Sequence, residues 1–271
     1  FDQLSYFDWV LIDHMKKIKY FKHIVKKLEH FLNIQTKQSS ELIDKSLGSQ
    51  KGQVEFLINN FFNYEENGLK KNGYFVDLAS GDGVRFSNTY FLEQYLEWTG
   101  ILIEPNPKFA ENIKSYRTSK FLDYCIGDKD NEEVQFRIDN LMLGGIVGDS
   151  YDNNLRYRAH ELEKAEIIKL KTRSLTSVLN EENSPRIIDY LSLDVEGAEE
   201  LILSKFNFKK YRFKFISIER PTKKIDLILD SNDYVQLNHL KSEVYYCHRE
   251  YLKYVNLSPK LTFKITEQKD W

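Results

Sequence analysis

Cysteine is nearly absent, with two residues, Cys125 and Cys247, in a chain of 271. So few excludes a disulfide framework, and their wide separation excludes a zinc knuckle, which leaves the reading of a reducing compartment. No apolar run approaches the roughly 18 residues that span a bilayer. The opening Phe-Asp-Gln lacks the basic and apolar regions of a signal peptide. The expected location is therefore cytoplasmic, although an initial Phe is compatible with a longer natural chain. Charge of one sign is not in excess either: 39 Lys and Arg face 41 Asp and Glu, a net charge of -2. No global field would gather the protein on nucleic acid or anionic membrane, so a polyanion partner would need a local patch. Five prolines and 12 glycines exclude collagen and low-complexity chains. What remains, 41% hydrophobic and 30% charged, is a soluble globular composition long enough for one generous domain or two small ones.

The one local basic patch lies early. Over residues 6–32, Trp9, Ile12, Ile18, Phe21, Val25, Leu28 and Leu32 recur at helical spacing, with Lys16, Lys17, Lys19, Lys22, Lys26 and Lys27 between them. This predicts an amphipathic N-terminal helical extension over 1–45. It suits packing on the domain or on a second copy of the chain, with peripheral membrane or acidic-partner contact as the alternative. The second unit, 46–271, has another texture: short apolar runs end in Gly, Asp or Pro and are followed by helical stretches, the alternation of a parallel sheet covered by helices. Strands are predicted at 74–78, 101–104, 122–126, 187–193 and 213–218. Runs at 234–237 and 244–248 are too close for a crossover helix and predict an antiparallel edge hairpin. The fold class is therefore α/β: a Rossmann-like, doubly wound, mostly parallel sheet of about seven strands. Between 134 and 172 the pattern loosens into a hairpin strand at 134–138, a loop with Gly144, Gly145 and Gly148, and a charged helix, read as an insertion over the active face.

Chemistry concentrates at predicted strand ends. In YFVDLASGDG (74–83) a buried strand ends in an acid and a turn of small residues opens a helix, the place where open α/β sheets bind nucleotides. A dinucleotide fingerprint fails, because its third glycine position is Phe86 and Asp82 would repel phosphate. Asp77 and Asp82 suit instead a cofactor cationic near its reactive atom, such as S-adenosylmethionine; an unliganded turn is the plainer alternative. GILIEPNP (100–107) ends the next strand in Glu104, placed to accept both ribose hydroxyls, while Pro105 and Pro107 stiffen the loop. In YCIGDKD (124–130), Ile126 and Gly127 lead to Asp128. There an adenine contact and an ordinary Gly-Asp turn read equally well. IDYLSLDVEGAEE (188–200) brings Asp194 and Glu196 to the end of a central strand, and FISIERP (215–221) brings Glu219 and Arg220 to the same edge. Acids so placed are costly to bury unless paired or functional. Asp194 is the candidate general base. The three acids could alternatively hold Mg²⁺, or one could pair with Arg220; the metal is the less favoured reading.

Together these strings resemble the FkbM-type S-adenosylmethionine-dependent O-methyltransferases. The resemblance is carried by SNTYFLE at 87–93, WTGILIEPNPKF at 98–109, CIGDKDNEEVQF at 125–136, GGIV at 144–147, YLSLDVEGAE at 190–199 and ISIE at 216–219. It extends from about residue 49 to about 252. It implies a Rossmann-like methyltransferase fold, with Asp77, Ala79, Ser80, Gly81, Asp82 and Gly83 around the methionine part of the cofactor. It puts Glu104 and Pro105 at the ribose, Ile126, Gly127 and Asp128 near adenine, and Asp194 between cofactor and acceptor. Gln50 and Gln53 would close over the cofactor, and Ser87 and Asn88 would cap the first helix beside it, where capping alone also explains them. Two positions depart from the pattern: Ala79 stands where the family usually has glycine, tolerable if its φ is negative, and Arg220 stands where it commonly has His.

The implied reaction is methyl transfer to a hydroxyl of a sugar or glycan, with Asp194 or Glu196 accepting the hydroxyl proton and Glu219 beside them. His160, His239 and His248 are weaker base candidates. Two rivals are a nucleic-acid methyltransferase, for which the lysine-rich helix is the only cluster that could serve, and a cofactor-binding scaffold without turnover, recruited through that helix.

Overall fold

The computed structural model describes residues 53–61, 70–139, 141–240 and 242–255. The predicted N-terminal helix and Gln50 lie outside them. No helix among the described residues is long and apolar enough to cross a membrane.

The scaffold is a seven-stranded sheet among the described residues. Its parallel members are β1 (Tyr74–Leu78), β2 (Thr99–Ile103), β3 (Lys120–Leu122), β8 (Ile187–Leu193) and β9 (Arg212–Glu219), closed by β10 (Tyr234–Leu240) and β11 (Glu243–His248). The spatial order is β10-β11-β9-β8-β1-β2-β3, with β11 antiparallel to β9 and β10 antiparallel to β11. Val76, Ile101, Leu102, Leu191, Leu193 and Ile216 are fully buried, as expected of strands covered on both faces. The crossovers between parallel strands run through α2 (Tyr90–Leu96), α3 (Ala110–Tyr116), α5 (Leu175–Glu181) and α6 (Glu199–Ser204); α7 (Lys223–Asp230) leads into the hairpin. The chain runs outward from β1 to β3, then returns to lay β8 on the other side of β1. That reversal opens a crevice at the carboxyl ends of β1 and β8. The short helix α1 (Gln53–Asn60) packs through Phe56 on Tyr245, ring centroids 4.3 Å apart, and leads into Phe61, stacked on Phe215 at 4.7 Å.

The insertion differs from its prediction. It builds a second sheet, β4-β7-β5-β6, from β4 (Cys125–Gly127), β5 (Glu133–Arg137), β6 (Gly145–Ile146) and β7 (Ile167–Ser174). The predicted strand at 122–126 breaks at Asp123 and Tyr124: β3 stays in the main sheet, whereas Cys125, Ile126 and Gly127 pair in parallel with Thr172, Arg173 and Ser174. Strand β7 was not foreseen, although its alternation is present. Ile168, Leu170 and Thr172 turn inward while Lys169 and Lys171 are exposed, a period of two diluted by charge. The charged helix is α4 (Leu155–Leu162).

Candidate active site

The turn after β1 is the first component. Ala79 and Ser80 donate their amides to Ile103 O at 2.9 and 3.3 Å, tying the turn to the end of β2. Ala79 has φ +62°, followed by Gly81 at +56° and Gly83 at +78°. The condition for strain-free alanine here, a negative φ, is not met: the position is left-handed, where a Cβ crowds the carbonyl at a cost of roughly 1 kcal/mol. The strain has a use, since this shape aims the Gly81 N–H at Glu104 Oε2, 2.9 Å away, while Asn106 N–H meets Oε1, also at 2.9 Å. Glu104 is 5% exposed, and burial pushes its carboxyl up to about 7 against the pull of both amides. Each carboxylate oxygen has two acceptor sites, so Glu104 retains acceptor capacity for the two hydroxyls of a ribose.

Glu104 lines a partly open cleft at the carboxyl ends of β1 and β2. Ala79, Pro105 and Ile126, expected at the cofactor, line it. Phe109, Tyr124, Phe136 and Met142 line it too, and were missed. Met142 packs on the glycine turn: a Cβ at Gly81 would stand 3.3 Å from Met142 Cε. These apolar walls stand beside a carboxylate with free acceptor capacity, a combination that would suit a nucleoside. The only sequence signal for them was aromatic residues beside Asn106 and Cys125, which core packing explains equally well.

Several predicted cofactor residues do other work. The Asp82 Oδ1 accepts Val84 N–H at 3.0 Å and Arg85 N–H at 2.7 Å, so this oxygen caps the turn rather than facing a cationic ligand. Asp77 lies beneath the turn, 3% exposed, and accepts the Thr89 hydroxyl at 2.5 Å; burial raises its carboxyl above the ordinary range. Ser87 Oγ accepts Thr89 N–H and Tyr90 N–H at 3.2 and 3.1 Å, capping α2 as one reading held. Asn88 donates to Ser192 Oγ on β8 at 3.1 Å. Gln53 is buried on α1 and is not among the residues lining the cleft. Gly127 admits Thr172, whose Cγ2 would lie 3.0 Å from a Cβ there, and Asp128 follows it half-buried.

The acidic cluster forms at the ends of β8 and β9. One carboxylate oxygen each from Asp194, Glu196 and Glu219 lies within 4.8 Å of the others. Arg220 Nη2 reaches Glu196 Oε2 and Glu219 Oε2, both at 3.2 Å, and Asp152 Oδ2 at 2.5 Å. Asp152 belongs to the insertion, and its N–H also donates to Glu196 O at 3.1 Å. Burial, then the charges of Glu219 and Glu196, raise Asp194 well above the carboxylate range. Burial and the facing Asp152 carboxylate push Glu196 up to about 7 despite Arg220. Asp194 Oδ1 is buried without a hydrogen-bond partner among the described residues. The spacing would admit a divalent cation, for which Arg220 competes. Gly145, which lines the cleft, lies close to Glu196: a Cβ there would stand 3.3 Å from the Glu196 Cβ. The acids therefore adjoin the cleft. The histidines do not join them: His160 is exposed on α4, and His248 Nδ1 accepts Glu250 N–H at 3.3 Å, its pKa lowered by burial. The His239 side chain lies outside the described residues.

Sheet order, crevice and acidic strand ends define a Rossmann-like α/β protein with a buried acid, Glu104, lining a cleft and a cluster of carboxylates at neighbouring strand ends. The methyltransferase FkbM domain family matches residues 76–235, more than half of the chain. The chain belongs to that family, as the motif strings implied, and membership implies S-adenosylmethionine as cofactor. No curated protein matches the chain. Among solved structures, precorrin-6y C5,15-methyltransferase from Geobacter metallireducens GS-15 is similar at 10% identity over 78% of this chain and 90% of that chain. Its TM-score of 0.37 is too low to argue from.

Proposed function

We propose that this protein is an O-methyltransferase acting on a hydroxyl of a sugar or glycan, with Asp194 as the proton acceptor. S-adenosylmethionine, held by Glu104 and the residue 79–83 turn, supplies an electrophilic methyl group. The acceptor hydroxyl would lose its proton to Asp194 Oδ1 as its oxygen takes the methyl group that the bound cofactor would supply. An aliphatic hydroxyl needs such a base, and a raised carboxyl is the stronger acceptor once ionised. The observation that carries the reading is the buried, unpartnered Asp194 Oδ1 at the strand end adjoining the cleft. Glu196 and Glu219, oriented by Arg220, accept hydrogen bonds from neighbouring hydroxyls. A polyol offers donors to this cluster, whereas a nucleic-acid backbone would meet the repulsion of Asp152, Asp194, Glu196 and Glu219 with Arg220 among them. Arg220 supplies positive charge where a Mg²⁺ would sit, so transfer is expected to survive chelation. Two free, buried cysteines support a cytoplasmic setting.

Calorimetric titration with S-adenosylhomocysteine, wild type against Glu104→Ala, tests the cofactor half. Transfer to a panel of sugars, wild type against Asp194→Asn, tests the acceptor half. The expected result is retained cofactor binding with a transfer rate lowered roughly 10²- to 10⁴-fold. An Asp194→Asn enzyme as fast as wild type would remove Asp194 from the chemistry.

A further inference from the structure

We infer that Arg117 is a positioning residue for the cofactor, holding the residue 80–89 loop in the shape that presents Gly81 and Glu104 to the ribose. The inference rests on the reading that this loop binds cofactor.

The loop is irregular, with positive φ at Gly81, Gly83 and Phe86. A segment without a ladder of backbone bonds keeps one shape only if something outside it holds it. Arg117, directly after α3, does so with a side chain that is 0% exposed. Nη1 donates to Gly83 O at 2.8 Å and to Ser87 Oγ at 3.4 Å, and Nη2 donates to Thr89 Oγ1 at 3.0 Å. Thr89 passes the chain on to Asp77 at the end of β1. Nε donates to Glu93 Oε2 on α2 at 3.1 Å, and Nη2 lies 3.0 Å from the same oxygen, the Glu93 side chain being 3% exposed. The guanidinium also lies over the Phe75 ring, 5.6 Å from its centroid. From the same crossover, Asn112 Nδ2 donates to Asp82 O at 2.9 Å. The unit that follows β2 thus carries both the ribose acid, Glu104, and the fasteners of the loop that binds it. A planar fork of five donors fits three separate acceptors on a loop; a lysine ammonium does not.

A buried ion pair that served only stability would look similar, so the test separates affinity from stability. Removing Arg117 alone would strand a buried charge on Glu93. The informative variant is Arg117→Met with Glu93→Gln, which removes both charges. Its glutamine oxygen still accepts the Thr118 N–H that Glu93 Oε1 accepts at 2.6 Å in the native protein. The probe is S-adenosylhomocysteine, titrated calorimetrically, with thermal unfolding measured in parallel. The expected result is a melting temperature within about 5 °C of wild type and a dissociation constant at least tenfold weaker. Arg117→Lys keeps the charge and loses the fork; it carries the test if the double variant does not fold, and is also expected to bind at least tenfold more weakly. A folded variant that binds within twofold of wild type would overturn the inference. Failure of the wild type itself to bind would instead overturn the cofactor reading, a result visible before any variant is made.

Discussion

Glu104 illustrates how much a single residue can report. It was legible from position alone, as an acid ending the second strand, but its ionisation was not. Burial sets its folded value at about 7 against an ordinary 4.5. An acid raised in this way binds a proton in the folded state that the unfolded state has released, so its contribution to stability falls as pH rises from about 4.5 to 7. Ribose hydroxyls need the ionised form, so cofactor binding favours proton release. S-adenosylhomocysteine affinity is therefore expected to rise from pH 6 to pH 8, with protons released to buffer. Calorimetry in buffers of different ionisation heat checks this, and Glu104→Gln should flatten the dependence. Ala79 shows the opposite case: the residue is obvious in the chain, whereas its φ of +62° depends on amide bonds to Ile103 and cannot be read from a dipeptide. Ala79→Gly is expected to change stability by less than about 0.5 kcal/mol, because relief of roughly 1 kcal/mol of left-handed strain is mostly offset by the added unfolded entropy, measured by urea unfolding. Asp194 and Glu196 were legible as strand-end acids. The link of Glu196 to Asp152 through Arg220 was not, because Asp152 lies in a loop whose path the local sequence leaves undetermined.

At the scale of the element, the central strands were read to within a residue or two because they are continuous apolar runs. Strand β7 was missed because charged residues occupy its outer face, and the strand predicted at 122–126 was read as one because nothing local separates Leu122 from Cys125. Gly100 shows how closely β1 and β2 approach: a Cβ there would stand 2.2 Å from Phe75 O and 2.7 Å from its ring. Backbone on one side and a buried ring on the other leave no room to relax, so Gly100→Ala is expected to cost about 3 kcal/mol. Chemical denaturation checks this, and a loss under 1 kcal/mol would mean that the two strands can part.

For the whole molecule, the decisive feature is the order in which strands are laid down. Because β8 returns beside β1, the ends of β1, β2, β8 and β9 converge on one rim, where Glu104 and the acidic cluster stand by a cleft lined also by residues of the second sheet. A ligand bound only by this assembled rim stabilises the whole fold by mass action, about 2.7 kcal/mol at a hundredfold excess over its dissociation constant. S-adenosylhomocysteine is thus expected to raise the melting temperature by roughly 5–10 °C. NAD and ATP should leave it unchanged, because Phe86 stands where the fingerprint needs its third glycine and the Asp82 carboxylate disfavours phosphate. A comparable rise with NAD would contradict that assignment.

The chain by itself determined the alternation of strand and helix, the antiparallel close, the acids at strand ends and the family strings, since each depends on periodicity or on neighbours a few residues apart. Only the tertiary structure decided that Cys125, Ile126 and Gly127 join a second sheet, that Asp82 caps a turn, that Arg117 fastens the loop after β1 and that Arg220 links Asp152 to Glu196 and Glu219. Each of these joins residues more than twenty positions apart, or, for Asp82, sets which way a side chain faces. Such outcomes are settled by which buried polar groups must find partners once the sheet has closed around them.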